Sequence, residues 1–315
     1  MRSRVVAIGD LVADITVVVP RFPVIPGATH TTWPARIEPG GSGNFLITAA
    51  RLGLQALALG ALGTDELGDW IGMILQKEGI DLRFVYRLPD STTTTVLVLV
   101  EESSGAHALL GSFGATPPLS WDPAWEALFD ESAVVFASGF TLLEPAFRDI
   151  GSLILKKAQA RGCSIFFDVG PMGHHLAPDD LRVVLAIASV VLLTEEEAEA
   201  LSMDPARIAR EGPVVVIKRG PAGCQILTGE EKIDVPGFPV HAVDPVGAGD
   251  SFDAGLVYGW MKGWPLPWAA LFANAAGAAK VQKRGTGRQM PTRQEIQKIL
   301  KTYCPDFPFW EDGHQ

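Results

Sequence analysis

From Ala133 onward the chain alternates short apolar runs with longer amphipathic ones, and this rhythm restricts the fold more than any other feature of the sequence. Ala133 to Ala137, Cys163 to Phe167, Ser189 to Leu193 and Val214 to Ile217 read as buried strands, with helices expected at Pro145 to Ala160 and Asp180 to Ile187. Such alternation yields a doubly wound sheet, because each helix must carry the chain back to begin the next parallel strand. The expected fold class is therefore α/β, a three-layer doubly wound sheet. Arg4 to Gly9 reads as a further buried strand, with Asp10 and Asp14 beyond its carboxyl end, where open α/β sheets bind ligands.

Two early segments break the rhythm. Ile15 to Val19 and Thr29 to Ile37 are strand-like, but only a loop with prolines and glycines lies between them, so they cannot form a βαβ unit. Thr92 to Val100 and Ala106 to Gly111, joined by the turn Glu102-Ser103-Ser104-Gly105, supply the other half of a small β lid. The expected organisation is one domain over 1–315 with lid strands inserted at about 15–37 and 92–111. A lid of this kind closes over a substrate and excludes water, and its open strand edges point to a homodimer through the lid.

The chemistry is concentrated between His241 and Gly255. Asp244-Pro245-Val246-Gly247-Ala248-Gly249-Asp250 leads into a helix expected from about Asp250 to Met261. Gly247, Ala248 and Gly249 let backbone N–H groups converge at a helix start, which is the local recipe for an anion pocket. Asp250 stands at the same place, and a carboxylate beside an anion is repulsive unless it handles a proton or orients a nucleophile. The combination points to phosphoryl transfer, with the helix dipole expected to depress the Asp250 pKa.

A second glycine cluster, Gly40-Gly41-Ser42-Gly43-Asn44, opens a helix running to about Leu52. Its spacing does not fit Gly-x-Gly-x-x-Gly and no strand is expected directly before it, so a dinucleotide dehydrogenase is disfavoured. Asn44 offers both donor and acceptor to a hydroxyl.

The string Asp-x-x-Gly-Ala-Gly-Asp-Ser-Phe-x-Ala-Gly from Asp244 resembles the C-terminal signature of the ribokinase-like (PfkB family) carbohydrate kinases. The cluster at 40–44, with Gly60-Ala61-Leu62-Gly63-Thr64-Asp65 and Gly68, resembles the N-terminal one. The resemblance implies an ATP- and Mg²⁺-dependent sugar kinase with Asp250 as base and Gly247, Ala248 and Gly249 at the transferring phosphate. It assigns the sugar to Asp14, Gly41, Asn44 and Glu144, although Glu144 also reads as a charge complementing a helix start. It puts the nucleotide at Thr194, Lys218, Gly220, Gly223, Asn274 and Gly285, and Mg²⁺ through water at Glu197. It implies a monovalent cation, K⁺, on carbonyls near Asp244, Val246 and the 283–287 loop. Thr194 stands where the family carries asparagine, and an acidic helix first turn, which explains Glu195 and Glu196, is the lesser reading for Glu197. Lys218 reads equally well as an anion partner or an exposed charge. The small residues of 271–279 suit either close helix packing or a flat ligand.

Where the family carries Asp-x-Asn-x-Arg, this chain has Asp168, Gly170 and Met172, which removes the cation an acidic sugar would need. Arg21 and Arg36 alone along the lid do not make a phosphate site, so the expected substrate is a small unphosphorylated sugar, ribose- or fructose-like. The alternatives are a nucleoside or inositol kinase, with Trp33 and Phe113 available for stacking, or a non-catalytic sugar-binding sensor.

Composition sets the outer bounds. Of 315 residues 47% are hydrophobic and 20% charged, with a formal net charge of −10. That is a folded, acidic chain without the basic field nucleic acid requires. Asp10 and Asp14 interrupt the first apolar segment, and Val183 to Leu193 is too short to span a bilayer, so no membrane partner is expected. Cys163, Cys224 and Cys304 are scattered and read as reduced thiols of a cytoplasmic protein. His174 and His175 are adjacent, so their side chains are expected to diverge as loop residues rather than bind metal.

Overall fold

In β1 (Arg4–Ile8) Val5 and Ala7 enter one hydrophobic core while Val6 and Ile8 enter another, which is why the strand has no polar face. The structure is a computed structural model that describes residues 4–9, 11–27, 29, 34–130, 133–229 and 231–308. Asp10 and Trp33 lie outside the described residues. After β1 come β2 (Leu11–Val19), β3 (Arg36–Gly41), α1 (Ser42–Arg51), β4 (Gln55–Leu62), α2 (Glu66–Lys77), β5 (Asp81–Arg87), β6 (Thr95–Glu101) and β7 (His107–Ser112). The alternating part follows as β8 (Ala133–Ser138), α3 (Gly139–Leu143), α4 (Gly151–Ala160), β9 (Ser164–Asp168), α5 (Pro178–Ile187), β10 (Val190–Thr194), α6 (Glu195–Ala200), α7 (Pro205–Arg210) and β11 (Val214–Lys218). The chain then runs through β12 (Cys224–Thr228), β13 (Glu231–Val235), α8 (Ala248–Met261), α9 (Leu266–Val281) and α10 (Arg293–Tyr303).

The larger sheet has the order β13-β12-β11-β10-β9-β8-β1-β4-β5, parallel from β11 to β5 with β12 and β13 antiparallel at one edge. One core lies between this sheet and α1, α2, α8, α9 and α10, and the other lies against α4 to α7, giving the three layers. The second sheet, β3-β2-β6-β7, is the lid. Among the described residues no helix is long and apolar enough to cross a membrane.

Several boundaries differ from the sequence reading. The lid begins at Leu11, so Asp14 sits within β2, paired with Glu38 of β3, rather than in a turn beyond β1. A strand does directly precede the glycine cluster, because β3 runs without a break into α1. Pro39 and two glycines had masked it. The helix expected over 145–160 begins only at Gly151, as α4, and a short α3 lies before it, with Glu144 held extended (ψ 127°) ahead of Pro145.

The lid is anchored by the Gly63-Thr64-Asp65 segment. Asp65 caps α2 through Gly68 N–H and also accepts from Thr93 N–H (2.8 Å) and Thr93 Oγ1 (2.6 Å). A Cβ on Gly63 would lie 2.3 Å from Thr93 N, so glycine is required for this approach.

Close packing explains the small residues of α8 and α9. A Cβ on Gly259 would lie 2.6 Å from the Ala269 Cβ, whereas one on Gly277 would meet its nearest neighbour at 3.5 Å. Gly259→Ala is expected to destabilise by about 1–3 kcal/mol through overpacking, while Gly277→Ala should not destabilise, because it gains helix propensity. Thermal melting of the two variants checks this: equal melting temperatures would contradict the packing account.

Candidate active site

The carboxyl ends of β1, β9, β10 and β11 converge on the amino end of α8. Gly247, at the N-cap of α8, has φ 82°, and a Cβ there would lie 2.5 Å from Met290 Cε. Only glycine meets both demands. Ala248 N–H donates to Pro245 O (3.0 Å) and Ser251 N–H to Gly247 O (3.1 Å). Among the described residues this leaves Gly249 and Asp250 N–H with no backbone acceptor. Of the N–H groups expected to meet an anion over 247–249, that of Ala248 closes the turn.

Asn44 ties this turn to α1. Its Nδ2 donates to Asp250 Oδ2 (2.8 Å), and its Oδ1 accepts from Gly287 N–H (2.8 Å). Asp250 keeps a partly accessible edge. Its carboxyl is nevertheless pushed up to about 6, by burial above all, with the Asn44 hydrogen bond opposing and Asp168 adding repulsion. The expected depression by the helix dipole does not prevail, because the surrounding protein strips water from the carboxylate. A pKa near 6 makes Asp250 a better proton acceptor than an ordinary aspartate.

Lys218 stands beside it, its Nζ 3.5 Å from where a Gly249 Cβ would be. It donates to Asp168 Oδ1 (2.9 Å) and lies 3.5 Å from Asp253 Oδ1. Burial opposes its charge, but Asp168, Asp253 and Glu197 together raise its pKa above the usual lysine range. Of the two readings left open for Lys218, the anion partner is the one observed, and the anions are side chains. Asp253, fully buried one turn beyond Asp250, is pushed well above the carboxylate range by burial. Glu197 is raised by burial and by Asp168. It forms a capping box with Thr194, donating its N–H to Thr194 Oγ1 (3.2 Å) and accepting Thr194 N–H at Oε2 (2.8 Å).

On the lid side Asp14 is buried over Gly40, where a Cβ would come within 2.2 Å of the Asp14 carboxyl. Its pKa is pushed up to about 7, by burial first, with the Thr286 hydroxyl opposing and Asp250 and Asp244 adding repulsion. Gly41 caps α1 with φ 52°. Glu144 is buried, with its Oε2 3.0 Å from the place of a Gly9 Cβ, so it lies over the carboxyl end of β1. Glu38 is held by Arg288 through both oxygens (2.6 and 2.9 Å), and Arg36 donates to Arg284 O (3.4 Å).

Gly220 (φ 53°) and Gly223 (φ 90°) shape the loop from β11 to β12. Asn274 commits its amide to the carbonyls of Val235 (3.3 Å) and Pro236 (3.0 Å), fastening α9 to the end of β13. Asp244 is fully buried; its Oδ1 accepts Val246 N–H (3.0 Å) and its Oδ2 accepts Gly285 N–H (2.7 Å). A lysine side chain reaches two of the carbonyls expected to hold a monovalent cation. Lys280 Nζ donates to Asp244 O (3.3 Å) and Lys283 O (3.1 Å). Burial lowers its pKa to about 8, with Asp244 opposing. His174 and His175 do not diverge: their rings lie 4.0 Å apart in a short 3₁₀ turn.

Sequence reasoning missed Lys280, Asp253 and the role of Asp168. The available signals were a lone lysine closing an otherwise apolar, small-residue helix, and an aspartate three residues after Asp250 on the same helix face.

The sequence pattern described as pfkB family carbohydrate kinase matches residues 2–293. An ATP-dependent ribose-1-phosphate kinase from Halopiger xanaduensis is 28% identical, over 94% of this chain and 98% of its own. A ribokinase from Haemophilus influenzae is 27% identical, over 96% and 99%. The structure of Arabidopsis thaliana ribokinase complexed with ribose and ATP superposes with a TM-score of 0.80 at 25% identity, covering 96% of this chain and 99% of that one.

The buried Asp14 carboxyl has a stability consequence. Its pKa in the folded state, about 7, is above the usual 3.8, so its contribution is greatest below pH 4 and is lost as pH rises through 7. Asp14→Asn is expected to melt higher than the wild type at pH 8 by at least about 2 °C, the gap closing toward acid pH. A gap that widened as pH fell would contradict the assignment.

Proposed function

This chain belongs to the pfkB family of carbohydrate kinases, phosphotransferases with an alcohol acceptor, and on that premise we propose that it phosphorylates a hydroxyl of a small unphosphorylated sugar with ATP. The observation carrying this reading is the meeting, at one helix start, of N–H groups without a backbone acceptor, a carboxylate with a raised pKa and an amide that locks it in place. The N–H groups of Gly249 and Asp250 hold the transferring phosphate, where preorganised donors contribute most to phosphoryl transfer. Asp250 takes the proton of the acceptor hydroxyl and aims its oxygen; Asn44 fixes the carboxylate orientation. Gly220, where a Cβ would meet nothing within 4 Å, leaves room for the nucleotide beside β11, while Gly223 packs against the Val235–Gly237 backbone.

Glu197 and Asp168, at the carboxyl ends of β10 and β9, are hard oxygen donors of the kind that hold Mg²⁺ through its waters. Mg²⁺ held there would supply positive charge against the nucleotide phosphates. Lys218 keeps the carboxylates around it from repelling that phosphate.

The substrate class follows from the donors on the lid side. Asp14, Asn44 and Glu144 suit hydroxyl groups, and the two acids repel a phosphate ester. The nearby cation Arg288 is already committed to Glu38. A coupled ADP-release screen over ribose, ribose 1-phosphate, fructose, inositol and adenosine separates these acceptors. Free sugars are expected to turn over best; preference for ribose 1-phosphate or adenosine would redirect the reading. The open edge strand β7, with Leu109 and Leu110 exposed, supports a homodimer through the lid. A solution mass of one chain by light scattering would contradict it.

Asp250→Asn is expected to retain nucleotide binding and to lose at least about 10²-fold in turnover. In the wild type, kcat/KM is expected to fall as pH drops below about 6, because the base must be ionised to accept a proton. A near-wild-type rate for the variant, or a rate flat down to pH 5, would overturn the role of Asp250.

A further inference from the structure

Lys280 is a buried residue near the turn whose chemistry the proposed reaction leaves unused. It closes α9, its side chain is fully buried, and its two hydrogen-bond acceptors are the main-chain carbonyls of Asp244 and Lys283. These carbonyls belong to the two segments to which the family resemblance assigns a monovalent cation. An ammonium group and K⁺ ask the same of such a loop, namely several carbonyl oxygens at close range. They also repel each other, so the two cannot share one set of acceptors.

The position of the charge matters as much as its partners. Lys280 Cε lies 3.5 Å from where a Cβ on Gly247 would sit, directly against the turn that begins α8. The Asp244 carboxylate cannot turn to a cation without loss, because both its oxygens already accept N–H groups, from Val246 and Gly285. The segments before α8 and after α9 are thus drawn together by a covalently attached cation.

We propose that the Lys280 ammonium replaces the monovalent cation beneath the anion-binding turn, so that ordering of the turn and phosphoryl transfer in this chain do not depend on K⁺. The inference rests on the kinase reading for its effect on turnover, but not for its effect on the turn itself. Lys280 is a positioning residue; it touches neither substrate nor nucleotide in this account.

The test compares wild type and Lys280→Met in KCl, NaCl and choline chloride at equal ionic strength. Melting temperature without nucleotide is the first readout, so it holds whatever the substrate proves to be. Wild-type melting should be the same in all three salts, and Lys280→Met should melt lower in choline and recover in KCl, because its carbonyls are vacated. Turnover is the second readout: wild-type kcat/KM should agree within about twofold across salts, and the variant should lose about 10²-fold in choline and regain at least tenfold in KCl. A lysine that merely braces two loops would not yield rescue by K⁺, so loss without rescue overturns the proposal. So does a wild type whose melting or turnover rises severalfold with K⁺ over choline, and this arm decides alone if the variant does not fold. Absence of ADP release in every salt would instead contradict the kinase reading, leaving the melting comparison to judge Lys280.

Discussion

The structure depends on keeping charge buried at the start of α8. Asp14, Asp168, Asp244, Asp250 and Asp253 are gathered there, with two buried lysines, Lys218 and Lys280, as counter-charges. Buried charges are tolerated only when paired or multiply hydrogen-bonded. Each lysine meets that condition in its own way. Lys218 holds carboxylates and keeps its proton; Lys280 holds carbonyls and its pKa falls.

The fold makes this gathering possible. Parallel strands place all their carboxyl ends along one edge, so Asp168, Thr194 and Lys218 come together without long-range coincidence. The lid contributes Asp14 from β2, and the β3–α1 junction contributes Asn44, which bridges to the loop at Gly287. Asp65 fastens the base of the lid to the body through Thr93. Carboxylates with raised pKa values at such a cleft are a frequent mark of proton-handling sites.

Much of this was legible in the sequence, and the failures have physical causes. The strand–helix alternation after Ala133 gave the layered sheet, and the glycine turn at 247–249 pointed to the helix start that organises the cleft. Local signals misled wherever tertiary surroundings overruled them. The dipole argument for Asp250 considered one helix and not the protein packed around it. The continuation of a lid strand past Ile37 to Gly41 was invisible because Pro39, Gly40 and Gly41 are poor strand formers, tolerated there at an edge beside the buried Asp14. Lys280 was unreadable because a lysine in a sequence carries no sign of whether it meets water or carbonyl groups. Asn274 shows the same limit, since nothing in the sequence tells that its amide fastens a strand end.

A crystal structure with a non-hydrolysable ATP analogue and a sugar bound together tests the central claim most directly. The account expects the terminal phosphate to accept from Gly249 and Asp250 N–H, with a sugar hydroxyl within hydrogen-bonding distance of the Asp250 carboxylate. A terminal phosphate bound away from the start of α8, or an Asp250 carboxylate turned from the sugar, would contradict it.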